Sequence, residues 1–297
     1  MKFRALVPGV LLVFSVILAS RLSPHFLDVR YLLDTSTIYA EMGLLALAMT
    51  IVIISGNIDL SVGSIMVLVA CLAAKMFEAG LSLPLAILAS ATIGAGLGFI
   101  NGWVVAKLKL PSFLMTLGTM AIARGVAQAM LGPNSIKLPK EFVGLDQSTI
   151  FGIPWPLLIF LFCALLTGVL LHRTVFGRWV IAVGSGEKAA LFSGVPVDRI
   201  KVSVFALSGL MAAIAALLMD SRLAVARHDL ARGIELDAIT IAVVGGAAIK
   251  GGEGTVLGTT LALFLIMVLK TAMGVANVKA EFQLTAIGLL LILAVLA

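Results

Sequence analysis

The stretch His172–Lys201, HRTVFGRWVIAVGSGEKAALFSGVPVDRIK, is the longest polar break in an otherwise apolar chain. It holds Arg173, Arg178, Lys188, Arg199 and Lys201, opposed only by Glu187 and Asp198. Inside it, a short segment carries helix punctuation at both ends. Ser185 can cap a start, Glu187 suits the first turn, Gly194 can take the left-handed position after the last turn, and Pro196 forbids continuation. That leaves about two turns, near 12 Å at about 1.5 Å per residue, with Ala189, Phe192 and Ser193 on one side. A small helix pinned between membrane spans suits docking to another protein. An ordinary cytoplasmic loop with a chance helix fits the same spacing.

The surrounding composition sets the class. The chain has 297 residues, 61% of them hydrophobic and 12% charged, with a mean hydropathy of +1.16. Soluble domains carry about twice that charge. The expected fold is all-α, a polytopic membrane protein, because backbone exposed to lipid must satisfy its own hydrogen bonds. No stretch is long or polar enough for a separate soluble domain, so nucleotide chemistry would have to come from other chains. A net charge of +6 in such a protein reads as loop charge facing anionic lipid, not as nucleic-acid binding. Cys71 and Cys163 lie in apolar runs and read as buried thiols.

Outward from the basic stretch, apolar runs predict membrane segments at about 5–20, 36–55, 62–77, 83–105, 112–131, 155–171, 202–219, 238–249, 255–273 and 282–297. That is about ten, with helices interrupted at GNIDLSVGS (Gly56–Ser64) and KGGEG (Lys250–Gly254). The stretch 132–154 has turn residues and no helical period, so it reads as irregular. An even count puts both termini on one side. The 21 Lys and Arg then divide ten to ten, with Arg124 inside the membrane. The charge density of 172–201, with Lys2 and Arg4, sets that side as the cytoplasm.

Polar residues inside the apolar runs are the candidate sites. Gly94, Gly98 and Gly102 recur every four residues and should let α-helical backbones approach closely. In GNIDLSVGS, Asp59 can cap the incoming helix while Ser61 and Ser64 satisfy freed amides. Alternatively, Asn57, Asp59, Ser61 and Ser64 touch a polar solute. KGGEGTVLGT (Lys250–Thr259) has a similar logic and can be a corresponding point of a duplicated transporter. Arg124, about twelve residues into its span, needs a partner, for which Asp220 or Asp237 are candidates. Asn101, Thr116, Thr119 and Gln128 line a pathway or join helices. In 220–237, Arg222, Arg227 and Arg232 alternate with Asp229 and Glu235, as a solvated surface or a docking face. The chain has no phosphate loop, zinc motif or serine-nucleophile motif, and His25, His172 and His228 are far apart. It therefore does not read as an enzyme.

Four stretches together resemble the permease subunits of bacterial ABC importers for monosaccharides, the ribose/xylose/arabinose/rhamnose/autoinducer-2 family. They are 56–64, GLGFINGWVVAKLKLPSFLMTLGTMAIARG at 96–125, FGRWVIAVGSGEKAALFSGVPVDRIKV at 176–202, and DAITIAVVGGAAIKGGEGTVLGT at 237–259. The resemblance implies a single transmembrane permease domain over 1–297, in the bacterial inner membrane. Residues 172–201 would face the cytoplasm, and 132–154 and 220–237 the periplasm. It further implies a second permease copy, identical or not, and a periplasmic solute-binding protein. ATP would bind a separate ABC ATPase, with no cofactor on this chain. Gly184, Ser185, Glu187, Lys188, Ala189, Ala190, Phe192, Ser193 and Gly194 would form the coupling helix seated on that ATPase. Ser185 departs from the Asn common in the family, and the chain ends at Ala297 without the expected short polar tail. Two rivals are an ion-coupled secondary transporter using Asp59 or Arg124, and an ABC permease for branched-chain amino acids or nucleosides.

Overall fold

Each apolar run becomes a helix in the computed structural model. The structure describes the backbone of residues 2–22 and 26–296 and the side chains of 8–21, 26–144 and 148–294; His25 lies outside them. In chain order the helices are α1 (Lys2–Leu22), α2 (Val29–Ile54), α3 (Val62–Glu78), α4 (Leu83–Lys107), α5 (Ser112–Leu131), α6 (Lys140–Gln147), α7 (Trp155–Arg173), α8 (Val175–Ser185), α9 (Glu187–Phe192), α10 (Val197–Leu223), α11 (Ile234–Val244), α12 (Val256–Val275) and α13 (Ala280–Leu296). Two antiparallel pairs are the strand structure among the described residues. Ile136–Lys137 (β1) pairs with Val225–Ala226 (β4), and Thr149–Ile150 (β2) pairs with Ile153–Pro154 (β3).

The chain is an all-α polytopic membrane protein, and by length and composition the structure supports six spans rather than the expected ten or so. Among the described residues six helices are long and apolar enough to cross a membrane: α2, α4, α5, α7, α10 and α12. Two of the other apolar runs are short. Helix α3 starts inside the bundle after an unwound segment, and its 17 residues rise only about 25 Å. Helix α11, with 11 residues, rises only about 16 Å.

Helix α2 is the central post. From Gly43 to Ile54 every residue is buried, as expected for a helix that is apolar on all sides. Helix α4 lies on α10, and small residues allow it. A Cβ added to Gly94 would lie 2.5 Å from the Gly209 carbonyl oxygen and 2.6 Å from Ala213 Cβ, and one on Gly102 would lie 2.7 Å from Val202 Cα. Gly98 has the Phe205 carbonyl against it, and Gly209 answers from α10 by meeting Gly94 and Gly98.

Two stretches read as polar or irregular contain helices. In 132–154 the eight-residue α6 begins after Pro139, whose ring presets the helical entry. Its Phe142 is buried against Phe77, ring centroids 5.1 Å apart, and the Phe142 carbonyl accepts from Ser221 Oγ at 2.8 Å. Such tertiary anchors leave no period in a short segment. In 172–201 the polar break is also mostly helical. Thr174 ends α7, donates to the Leu170 carbonyl at 2.6 Å, and caps α8 by accepting from Gly177 N at 3.3 Å.

Candidate functional site

Helix α9 is a one-turn projection with a well-closed end. Gly194 adopts φ +80°; its N–H donates to the Leu191 carbonyl at 3.0 Å, and Val195 N–H reaches the Ala190 carbonyl at 3.0 Å. This is the Schellman pattern, in which a left-handed glycine satisfies the last free carbonyls. Ala190 and Val195 are buried beneath it, while Ala189, Leu191, Phe192, Ser193 and Lys188 face outward. Phe192 is 89% exposed. At the other end Ser185 is not the cap. It closes α8 and donates from Oγ to the Ile181 carbonyl at 2.8 Å, and Gly186 holds the cap position without a side-chain bond. Continuing the preceding helix to Ser185 turns its hydroxyl backward, so α9 is shorter than two turns, at 6 residues. Glu187 pairs with Lys201 of α10 at 2.7 Å, and Asp198 pairs with Lys107 at the end of α4 at 2.7 Å.

Helix α2 ends with the same device as α9. Gly56 has φ +78°, its N–H donates to the Ile53 carbonyl at 2.9 Å, and Asn57 N–H donates to the Val52 carbonyl at 3.1 Å. From there to Ser61 the chain is unwound, and its polar side chains are enclosed. Asp59, Ser61, Ser64, Asn101 and Thr116 have no measurable exposure, and Asn57 and Thr119 are nearly as buried. A chain of hydrogen bonds runs through this group. Thr119 Oγ1 donates to Asn101 Oδ1 at 2.6 Å, Asn101 Nδ2 donates to Ser61 Oγ at 2.9 Å, and Ser61 Oγ donates to Asp59 Oδ1. Asp59 Oδ2 accepts from Ser208 Oγ of α10 at 2.8 Å. Ser112 and Thr116 of α5 accept from the free amides of Ile58 and Leu60, each at 3.1 Å.

Asp59 therefore does not cap α3 in the expected way. It accepts from Ser61 N at 2.9 Å, while Ser61 holds the cap position with no capping bond from its own side chain. Ser64 Oγ turns back to the Ser61 carbonyl at 2.9 Å. The second break begins in the same manner. Gly246, at φ +91°, closes α11 with N–H to Val243 carbonyl at 2.8 Å, and Ala247 N–H meets the Ala242 carbonyl at 3.0 Å. Thr255 then caps α12 by accepting from Gly258 N at 3.0 Å.

Arg124 finds neither of its expected acidic partners. Its guanidinium donates to the backbone carbonyls of His228 (3.2 Å), Leu230 (2.7 Å) and Ala231 (3.4 Å). Asp237 is held instead by Lys270 at 2.8 Å, and the carboxylate of Asp220 is buried without a hydrogen-bond partner. The charged residues of 220–237 divide unevenly. Arg222 forms a two-point pair with Glu41 of α2 (2.7 and 3.1 Å). Arg227 grips Asp229 (2.9 and 2.6 Å), and these bonds hold the Asp229 carboxyl below its ordinary range and raise the guanidinium. Arg232 is exposed, and Glu235 lies over Gly63 in the first turn of α3. Among the described residues no cluster of His, Cys, Asp or Glu could hold a metal ion.

Residues 31–295 match the family described as "Branched-chain amino acid transport system / permease component". The chain belongs to this family. It is 35% identical over 292 residues to the autoinducer 2 import system permease protein LsrD of Escherichia coli (strain K12), covering 96% of this chain and 88% of that protein. The protein of the same name from Shigella flexneri matches to the same extent. No solved structure matches. The chain is thus a multi-pass inner-membrane permease subunit of an import system.

Sequence reasoning missed Ser208, Lys201 and Ser112. A hydroxyl deep in the apolar run of α10 was a readable signal for Ser208. Ser112 serves an amide 54 positions away, and Lys201 was read only as loop charge and not as the partner of Glu187.

Proposed function

We propose that this permease receives a monosaccharide or similar small polar solute from a periplasmic binding protein and passes it by alternating access. Work comes from ATP bound to a separate ABC ATPase, and a second permease completes the pore. Helix α9 carries the reading: a rigid, glycine-closed turn whose Phe192 has nothing of this chain over it. An exposed aromatic on a closed turn fits a groove on a partner, and the family supplies the kind of partner. In this reading ten membrane segments include the short pieces that flank the breaks. The buried chain Thr119–Asn101–Ser61–Asp59–Ser208 shapes the break beside the path, and Asn57, Ser64, Thr116 and Arg124 hold neighbouring backbone. Arg222, Arg227, Arg232, Asp229 and Glu235 belong to the binding-protein side. Arg232 is the most available of them, because Arg222 and Arg227 are already paired.

The test is reconstitution with the ATPase and binding protein. Phe192→Asp abolishes ATP-driven uptake while the chain still inserts. Uptake retained in that variant, or uptake by wild type without the ATPase, overturns the proposal. The family description favours a second solute class, branched-chain amino acids; identifying the ligand of the binding protein decides between them.

A further inference from the structure

Three parts of the chain meet backbone to backbone beside α9, and all three meet through glycine. They are the start of the first break at Gly56, the end of α8 at Gly184, and the second break at Gly251–Gly252. Gly252 N–H donates to the carbonyl of Ile54, the last residue of α2, at 2.8 Å. A Cβ on Gly251 would lie 2.7 Å from the Gly184 carbonyl oxygen and 2.8 Å from Gly56 Cα. A Cβ on Gly184 would strike the Ile54 carbonyl and lie 2.6 Å from Gly252 N.

These glycines are required for different reasons. Gly56, Gly251 and Gly252 have φ of +78°, +85° and +80°, where L side chains are strained. Gly184 has no such φ and lies in the last turn of α8, where alanine would favour the helix by about 0.5–1 kcal/mol. Its lack of a side chain answers only to the two backbones pressed against it. Three residues later the chain enters α9.

We infer that Gly184 is a positioning residue, the joint through which a displacement of α9 is passed directly to both helix breaks, so that the α8–α9 corner and the two breaks move as one body. The inference rests on the permease reading. Packed backbones with no side chain between them have little compliance, so a shift of α9 draws the ends of α2 and α11 with it. The Glu187–Lys201 pair keeps α9 in step with α10.

The experiment uses the assembled transporter, after ATP-driven uptake by wild type is established. A wild type that shows no such uptake overturns the permease reading itself, separately from this inference. Gly184→Ala is expected to lower uptake per ATP hydrolysed by about tenfold, within the usual range for coupling between sites, with ATP hydrolysis largely kept. Gly80→Ala is the control. Gly80 has φ +82° and nothing within 4 Å of an added Cβ, so the variant strains the backbone away from the joint and keeps the wild-type ratio. A Gly184→Ala transporter with a wild-type ratio overturns the inference, as does an equal loss of ratio in both variants. Spin labels at the exposed Lys188→Cys and Lys250→Cys positions report the joint independently of that variant's folding. The distance between them stays unchanged between nucleotide-free and ATP-trapped states. A change there while uptake is intact also overturns the inference.

Discussion

Asp59 is an ionisable side chain with no exposure, yet it is fully occupied. One oxygen accepts from the amide and hydroxyl of Ser61, the other from Ser208. A buried carboxylate persists only when such donors replace water. Removing one donor leaves an oxygen bare, at a cost of about 1–3 kcal/mol. Ser208→Ala is therefore expected to lower thermal stability in detergent by that order. Asn101→Ala also cuts the chain that links α4, α5 and the break and should do at least as much. Unfolding midpoints equal to wild type in both variants would mean that the network does not hold the break. The sequence showed Asn57, Asp59, Ser61 and Ser64 as residues that do not belong in a smooth span, and this much was legible. It did not show that the break's partners come from α4, α5 and α10, 149 positions away in the case of Ser208. Arg124 was opaque for the same reason: its partners are main-chain carbonyls about a hundred positions on, and carbonyls have no letter in a sequence.

At the level of helices, glycine spacing forecast an intimate contact, and α4 on α10 is that contact. Position decides what alanine does there. At Gly98 the new methyl meets the Phe205 carbonyl and lies 3.1 Å from Gly209 N, so the helices must part; overpacking of this kind costs about 1–3 kcal/mol. At Gly118 and Gly125 of α5 nothing lies within 4 Å, and the gain in helix propensity is about 0.5–1 kcal/mol. Gly98→Ala should lower the unfolding midpoint, whereas Gly118→Ala and Gly125→Ala should hold or raise it. Shifts of one sign at all three would refute the distinction. The same physics explains which boundaries were readable. Gly194 and Pro196 punctuate the end of α9 and were legible. The end of α7 was legible at His172 and Arg173, but the immediate start of α8 was not, because a single threonine makes the split, with glycine at 177 tucked under the Leu171 carbonyl.

For the whole chain, counting spans from hydropathy depends on pieces such as α3 and α11 that do not cross unaided, so the total cannot by itself fix which end faces which side. One traverse can. Helix α10 has 27 residues, about 40 Å at about 1.5 Å per residue, which exceeds the ~30 Å hydrocarbon core. It joins α9 at one end to β4 at the other, and β4 pairs with β1 at Ile136–Lys137. Helix α7 makes the return crossing between β3 and Thr174. Phe192 and Lys140 must therefore lie on opposite faces of the membrane, whatever the remaining short helices do. Both residues are exposed, and the two native cysteines are buried, so they give a quiet background for thiol labelling. Introduced singly, Lys140→Cys should react with a membrane-impermeant maleimide added outside intact cells, and Phe192→Cys only after the membrane is opened. Reversed reactivity would place α9 outside, away from any ATP-driven partner. Both sites reacting from one side would mean that α10 does not cross.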